Sequence, residues 1–166
     1  YIHVGGDEAV KDQWKASPAV QVKMRELNIA NEDALQSWFI QRIETFLNAH
    51  GRRLIGWDEI LQGGIAPNAT ITSWRGIDGA ITAAKAGHDA VLSPAPILYF
   101  DNRQAEGRDE PSGRGAVISL SDVYDFNPAP AQLSEEERRH IIGVQANVWT
   151  EHIREEYNVG YALFPR

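Results

Sequence analysis

The sequence predicts an α/β fold, a partial (β/α)8 TIM barrel of about five parallel strands joined by crossover helices. Three observations predict it. Short β-type runs alternate with segments whose apolar residues recur at helical spacing. That strand–helix–strand order implies parallel pairing. And 166 residues accommodate five strands with their helices, whereas a complete eight-stranded barrel takes roughly 250. The chain opens on a strand-like run and stops at Phe164-Pro165-Arg166, where a new helix is expected to begin, so it reads as a piece of a barrel.

Taken in order, the strand runs fall at residues 1–4, 53–56, 69–73, 90–92 with an extension to 100, and 143–148. Between the first two, Leu35, Trp38, Phe39, Arg42, Ile43, Phe46 and Leu47 mark a helix over 33–50, with Asn31 as its cap and Gly51 as its stop. A shorter helix over 19–27 is announced by Ser17-Pro18. A third covers 77–86 and ends at Gly87; a fourth covers 135–141 behind Ser134. Residues 101–133, rich in Gly, Pro, Asp and Arg, read as one long loop, either functional or a mobile surface insertion, within a single partial barrel domain spanning 1–166.

Composition excludes several classes. The net charge is −7 with no basic stripe, which argues against a nucleic-acid partner. The one dense charge run, Glu-Glu-Glu-Arg-Arg at 135–139, reads as a solvated helical turn. No apolar run reaches the length of a membrane span. There is no Cys, so no thiolate metal site is available, and the His residues at 3, 50, 88, 140 and 152 lack ligand spacing; no metal is expected. Asn68-Ala69-Thr70 fits a glycosylation sequon.

The residues just past each strand are more informative. The first strand leads into Gly5-Gly6-Asp7-Glu8, the second into Trp57-Asp58-Glu59 and the third into Trp74-Arg75. The fourth region gives Tyr99-Phe100-Asp101, and the fifth gives Trp149-Thr150-Glu151. In parallel α/β folds these C-terminal strand ends form the active-site face. Sugars suit such a mixture: their C–H faces stack on aromatic rings while carboxylates accept hydroxyl protons, and glycosidic cleavage needs an acid for the leaving oxygen. A lone acid after a strand is usually a helix cap, and a lone Trp is usually core, as expected for Trp38. Five coincident ends favour a site.

These blocks, with Gly143-Val144-Gln145-Ala146-Asn147-Val148 before Trp149 and Leu163-Phe164-Pro165-Arg166 at the end, resemble the family 20 glycoside hydrolases, the β-N-acetylhexosaminidases. The likeness runs the length of the chain in order and equates its strands with 4 to 8 of the full barrel. Gly-Gly-Asp-Glu also matches the start of the Gly-Gly-Asp/Glu-Glu-Phe run of nucleotide cyclases, but Ala9 stands where that signature requires Phe.

The resemblance implies exo-acting, retaining hydrolysis of terminal β-linked N-acetylglucosamine or N-acetylgalactosamine, in chitin or glycans. The nucleophile is the substrate's own 2-acetamido oxygen, the family's exception to the usual carboxylate pair. It makes Glu8 the acid and then the base, and Asp7 the residue that orients the acetamido group. Tyr99 becomes a donor to that group, and Trp57, Trp74 and Trp149 the walls of its pocket. Asp101 and Glu151 then bind sugar hydroxyls, Arg75 pairs with a neighbouring acid, and His3 supports the catalytic pair. The resemblance favours a periplasmic or secreted location and implies no organic cofactor. It also implies an Arg, a His and an Asp ahead of Tyr1.

Two rival readings are also open to the sequence. One is a catalytically incompetent barrel fragment that keeps part of a sugar-binding site and self-associates through an open barrel edge. The other is a metal-dependent barrel lyase. Trp and Tyr stand where such a lyase usually carries a Lys or His base.

Overall fold

The computed structural model describes residues 1–166. Seven strands form: β1 (Ile2–His3), β2 (Leu54–Trp57), β3 (Thr70–Ser73), β4 (Ala90–Leu92), β5 (Asn102–Arg103), β6 (Arg114–Val117) and β7 (Ile141–Val144). The five named β1, β2, β3, β4 and β7 lie side by side in chain order, every pair parallel, while β5 and β6 pair only with each other. This is the five-stranded partial barrel expected from the sequence.

The helices are α1 (Asp12–Ala16), α2 (Pro18–Glu26), α3 (Glu32–Ala49), α4 (Asp78–Lys85), α5 (Leu120–Tyr124), α6 (Glu135–Arg138) and α7 (Glu156–Leu163). Their ends follow local chemistry. The Ala34 N–H donates to Asn31 Oδ1 at 2.9 Å to start α3, and Ser17 with Pro18 starts α2. Ile40, Leu54, Ile60, Ile71, Ala80, Ala83, Ala90 and Leu92 form the core where α3 and α4 cover the sheet. On β3, Thr70 and Thr72 alternate with Ile71 and so face the other side of the sheet, fully buried. The sequon hydroxyl of Thr70 is therefore inside the protein.

Several expected elements differ. The fourth strand does not extend to residue 100: Pro94 and Pro96 supply no N–H, and the chain turns before Tyr99 regains the sheet in an isolated bridge to Asn147. The fifth strand begins and ends earlier than 143–148, because Ile141 already pairs with Ala90, and a bulge absorbs Ile142. That early start also cuts α6 to four residues. α7 ends at Leu163, and Phe164 is extended at φ −120°, as a residue before proline prefers.

Residues 101–133 are not one irregular loop. They contain β5, β6 and α5, the last held by a Ser119–Asp122 capping box. On α3, two apolar stripes compete and Leu35, Ile40, Ile43 and Leu47 win the sheet side. Phe39 and Phe46 stay 53% and 62% exposed, and Trp38 is half-buried beside Arg42 rather than in the core.

Candidate active site

The loop after β1 is built around backbone that only glycine adopts easily. Gly5 and Gly6 have φ of +69° and +100°, and a Cβ on Gly6 would collide with Ile60 Cγ2. Three hydrogen bonds pin the loop. Gly5 O accepts from the Trp57 N–H at 2.9 Å, Gly6 O accepts from Gln36 Nε2 at 2.8 Å, and the Gly5 N–H donates to His3 Nδ1 at 3.1 Å. Burial lowers the His3 pKa, against the pull of the Asp7 charge, so the ring stays a neutral acceptor. Asp7 and Glu8 come next, exposed. Glu8 takes φ +48°, a left-handed conformation costing an L residue about 1 kcal/mol, and the pinned flanks hold it there.

The other strand ends close around this pair. Trp57 ends β2, edge-on to His3 at 4.8 Å and 6.1 Å from the Trp149 ring. Trp74 comes just after β3 and lies 6.2 Å from the Tyr99 ring. Asp7, Glu8, Trp57, Trp74, Tyr99, Arg114, Trp149 and Glu151 together line a cavity of about 210 Å³. Of the catalytic and sugar-binding residues expected from the sequence, all but Asp101 are on its wall.

Asp101 lies behind Arg114. Its side chain has no exposed surface, neither oxygen finds a hydrogen-bond partner, and Arg114 Nη1 stands 3.6 Å from Oδ2. Burial raises its pKa, with the Arg114 charge opposing. Arg114 also covers the face of Tyr99, 5.4 Å from the ring centre. Sequence reasoning missed Arg114 because it sits in the Gly- and Pro-rich stretch, thirteen positions beyond Asp101, with no periodicity to aim it.

Trp74 also borders a second, more polar cavity of about 300 Å³, shared with Glu8, Lys11, Gln36, Glu59, Gln62 and Arg75 among others. Asp58 and Glu59 are both buried on the 3₁₀ turn Asp58–Leu61 after β2. Arg75 does pair with these neighbouring acids, its Nε 3.1 Å from Asp58 Oδ1 and 3.6 Å from Glu59 Oε1. Burial, then the hydrogen bond with Glu59, push the Asp58 pKa up to about 6 against Arg75. A larger hollow of about 510 Å³ lies at the N-terminal ends of the strands, around Arg53, Asn68, His88 and Asp89, away from every residue above.

Residues 1–166 match the family model described as glycosyl hydrolase family 20, catalytic domain. A β-hexosaminidase of Porphyromonas gingivalis is 45% identical over 167 residues, covering all of this chain and 22% of that protein. A solved family 20 exo-β-N-acetylglucosaminidase from Vibrio harveyi, in complex with N-acetylglucosamine, is 31% identical with a TM-score of 0.88. It covers 99% of this chain, which spans 26% of it. A Flavobacterium johnsoniae chitobiase, also 31% identical, has a TM-score of 0.74 over 91% of the chain and 22% of its own length. The chain thus spans about a quarter of the length of these relatives.

Proposed function

The chain belongs to glycosyl hydrolase family 20, and from that premise we propose that it carries the catalytic face of an exo-acting, retaining β-N-acetylhexosaminidase. The observation that carries the reading is one cavity where Asp7, Glu8, Tyr99 and three tryptophans converge.

Glu8 donates its proton to the leaving glycosidic oxygen as the substrate's 2-acetamido oxygen attacks the anomeric carbon from the opposite face. The C–O bond to the leaving group breaks and an oxazolinium ring forms. Glu8 then takes a proton from water, whose oxygen adds to the anomeric carbon and reopens the ring, so configuration is retained overall. Asp7 accepts the acetamido N–H and balances the positive charge on the ring. Tyr99 donates to the acetamido oxygen. Trp57, Trp74 and Trp149 enclose the acyl methyl and exclude water. Glu151 accepts sugar hydroxyl protons, and Asp101 does so once Arg114 yields its place.

Adjacent positions favour this division of labour. Neighbouring side chains diverge, so Asp7 and Glu8 are ill-placed to grip one bond from opposite faces as two carboxylates would. The Vibrio harveyi complex with N-acetylglucosamine supports a carbohydrate ligand with a terminal N-acetylhexosamine.

The test is p-nitrophenyl N-acetyl-β-glucosaminide against the matching glucoside with a 2-hydroxyl, using the natural full-length protein. Only the first is expected to be cleaved at an appreciable rate. Equal rates on both would remove substrate assistance.

A further inference from the structure

Trp74 borders two hollows. It lines both the 210 Å³ cavity and the 300 Å³ cavity, and it is only half-buried. Packing alone therefore does not fix its tilt, as it would for a core tryptophan. What holds it is a forked hydrogen bond. Its indole Nε1–H donates to both carboxylate oxygens of Glu59, at 3.2 Å and 3.0 Å.

Glu59 is well suited to be that anchor. It is 7% exposed, so water competes little for its oxygens and the bond is stronger than an exposed one. It sits on the 3₁₀ turn after β2, whereas Trp74 comes after β3, so the bond ties two strand ends together. The carboxylate itself is held from behind: Arg75 Nε stands 3.6 Å from Oε1 and 3.1 Å from Asp58 Oδ1, one guanidinium serving two buried acids. Glu59 does not line the main cavity, and its direct link to that cavity's wall is the bond from the indole.

We infer that Glu59 is a positioning residue, which, braced by Arg75 and Asp58, fixes the tilt of the Trp74 wall and thereby sets how large a 2-acyl group the site accepts. The inference rests on the proposed role of Trp74 as a boundary of the acyl pocket. A wall free to rock admits a longer acyl chain and holds the acetyl group less well. Selectivity between acyl groups, more than overall turnover, should then depend on a residue that never meets the substrate.

The test measures kcat/KM of the natural full-length protein on p-nitrophenyl glucosaminides bearing N-acetyl and N-butyryl groups. The ratio of the two is the readout. Glu59→Ala is expected to reduce the acetyl preference about tenfold, the worth of one hydrogen bond to a charged group. Glu59→Gln, which keeps an acceptor for the indole, should hold the preference within about twofold of the parent. Trp74→Phe deletes the same bond from the other side. It should reproduce the loss seen with Glu59→Ala, and the double variant should lose no more than either alone.

A general structural role for Glu59 would lower thermal stability and activity on both substrates together and leave the ratio unmoved. If folded Glu59→Ala keeps the parental preference while Trp74→Ala loses it, the positioning role is overturned and the acyl-wall reading stands. If Trp74→Ala also keeps the preference, the acyl-wall reading falls and the positioning role with it. Should Glu59→Ala not fold, an intact preference in Trp74→Phe overturns the inference by itself.

Discussion

The two ends of the same parallel strands treat carboxylates in opposite ways. Before β4, Asp89 is gripped by Arg53 Nη2 and by His140 Nδ1, each at 3.1 Å, from the residues that precede β2 and β7. Burial alone would raise its pKa, but these two partners outweigh that and lower it. Past the other ends, Asp58 and Glu59 share one arginine, and the cation nearest Asp101 is Arg114, at 3.6 Å. The Asp58 and Asp101 pKa values are raised by burial. One end sets a single acid between two cations; at the other, two buried acids share one cation and Asp101 has none within 3.5 Å. Under the proposed function, stability belongs to the first end and chemistry to the second, the division seen in α/β barrels generally.

The sharpest way to break this comparison is activity. Glu8→Gln should reduce turnover of substrates with poor leaving groups by at least about 100-fold, the usual worth of a general acid, whereas Asp89→Asn should stay within about twofold. Steady-state kinetics on both variants decides it, and a comparable loss in Asp89→Asn would end the distinction. Asp7→Asn should cost about 10- to 100-fold in kcat, because a misaligned acetamido oxygen no longer reaches the anomeric carbon.

Stability should sort the other way. Asp89→Asn loses two charge-assisted bonds in a partly exposed setting, an expected cost of about 1 kcal/mol by denaturant titration at neutral pH. Asp58→Asn removes a buried charge that shares its cation, so it should be neutral or stabilising by about 1 kcal/mol. Equal destabilisation of both would show that the ends do not differ.

The smallest effects are in pH dependence, and their signs are opposed. Asp89 has a lowered folded pKa, so its contribution is present above the unfolded value and is lost as pH falls through the folded one. The melting-temperature deficit of Asp89→Asn should therefore close in acid, below about pH 4. Asp58 has a folded pKa raised to about 6, so its burden is absent below the unfolded value and grows as pH rises towards the folded one, above which it is fully present. Any advantage of Asp58→Asn should accordingly be missing below about pH 4 and develop between about pH 4 and 7. Thermal melts across that range sharpen or cancel the contrast.

Much of the fold was legible because its signals are local. The Asn31 cap, the Ser17-Pro18 start and the Ile71 run each act within a few residues, and the helices and strands stand close to where those signals put them. The Ser119–Asp122 capping box is an equally local signal, but it lies inside a stretch whose Gly and Pro content argues for loop. The face of α3 was not legible, since two apolar stripes of equal periodicity offer no choice until one meets the sheet. Nor was the short reach of β4, where Pro94 and Pro96 outweigh the apolar residues around them.

The sequence by itself determined the strand-by-strand order of aromatic and acidic residues, and parallel pairing then carries each to one end of the sheet, because every crossover returns the chain in the same direction. Only the tertiary structure decided which of them meet. Arg114 folds back over Tyr99 and hides Asp101, and Glu59 reaches across from a neighbouring strand end to the Trp74 indole. These are contacts between residues far apart in the chain, selected by burial and charge rather than by spacing, and no local pattern encodes them.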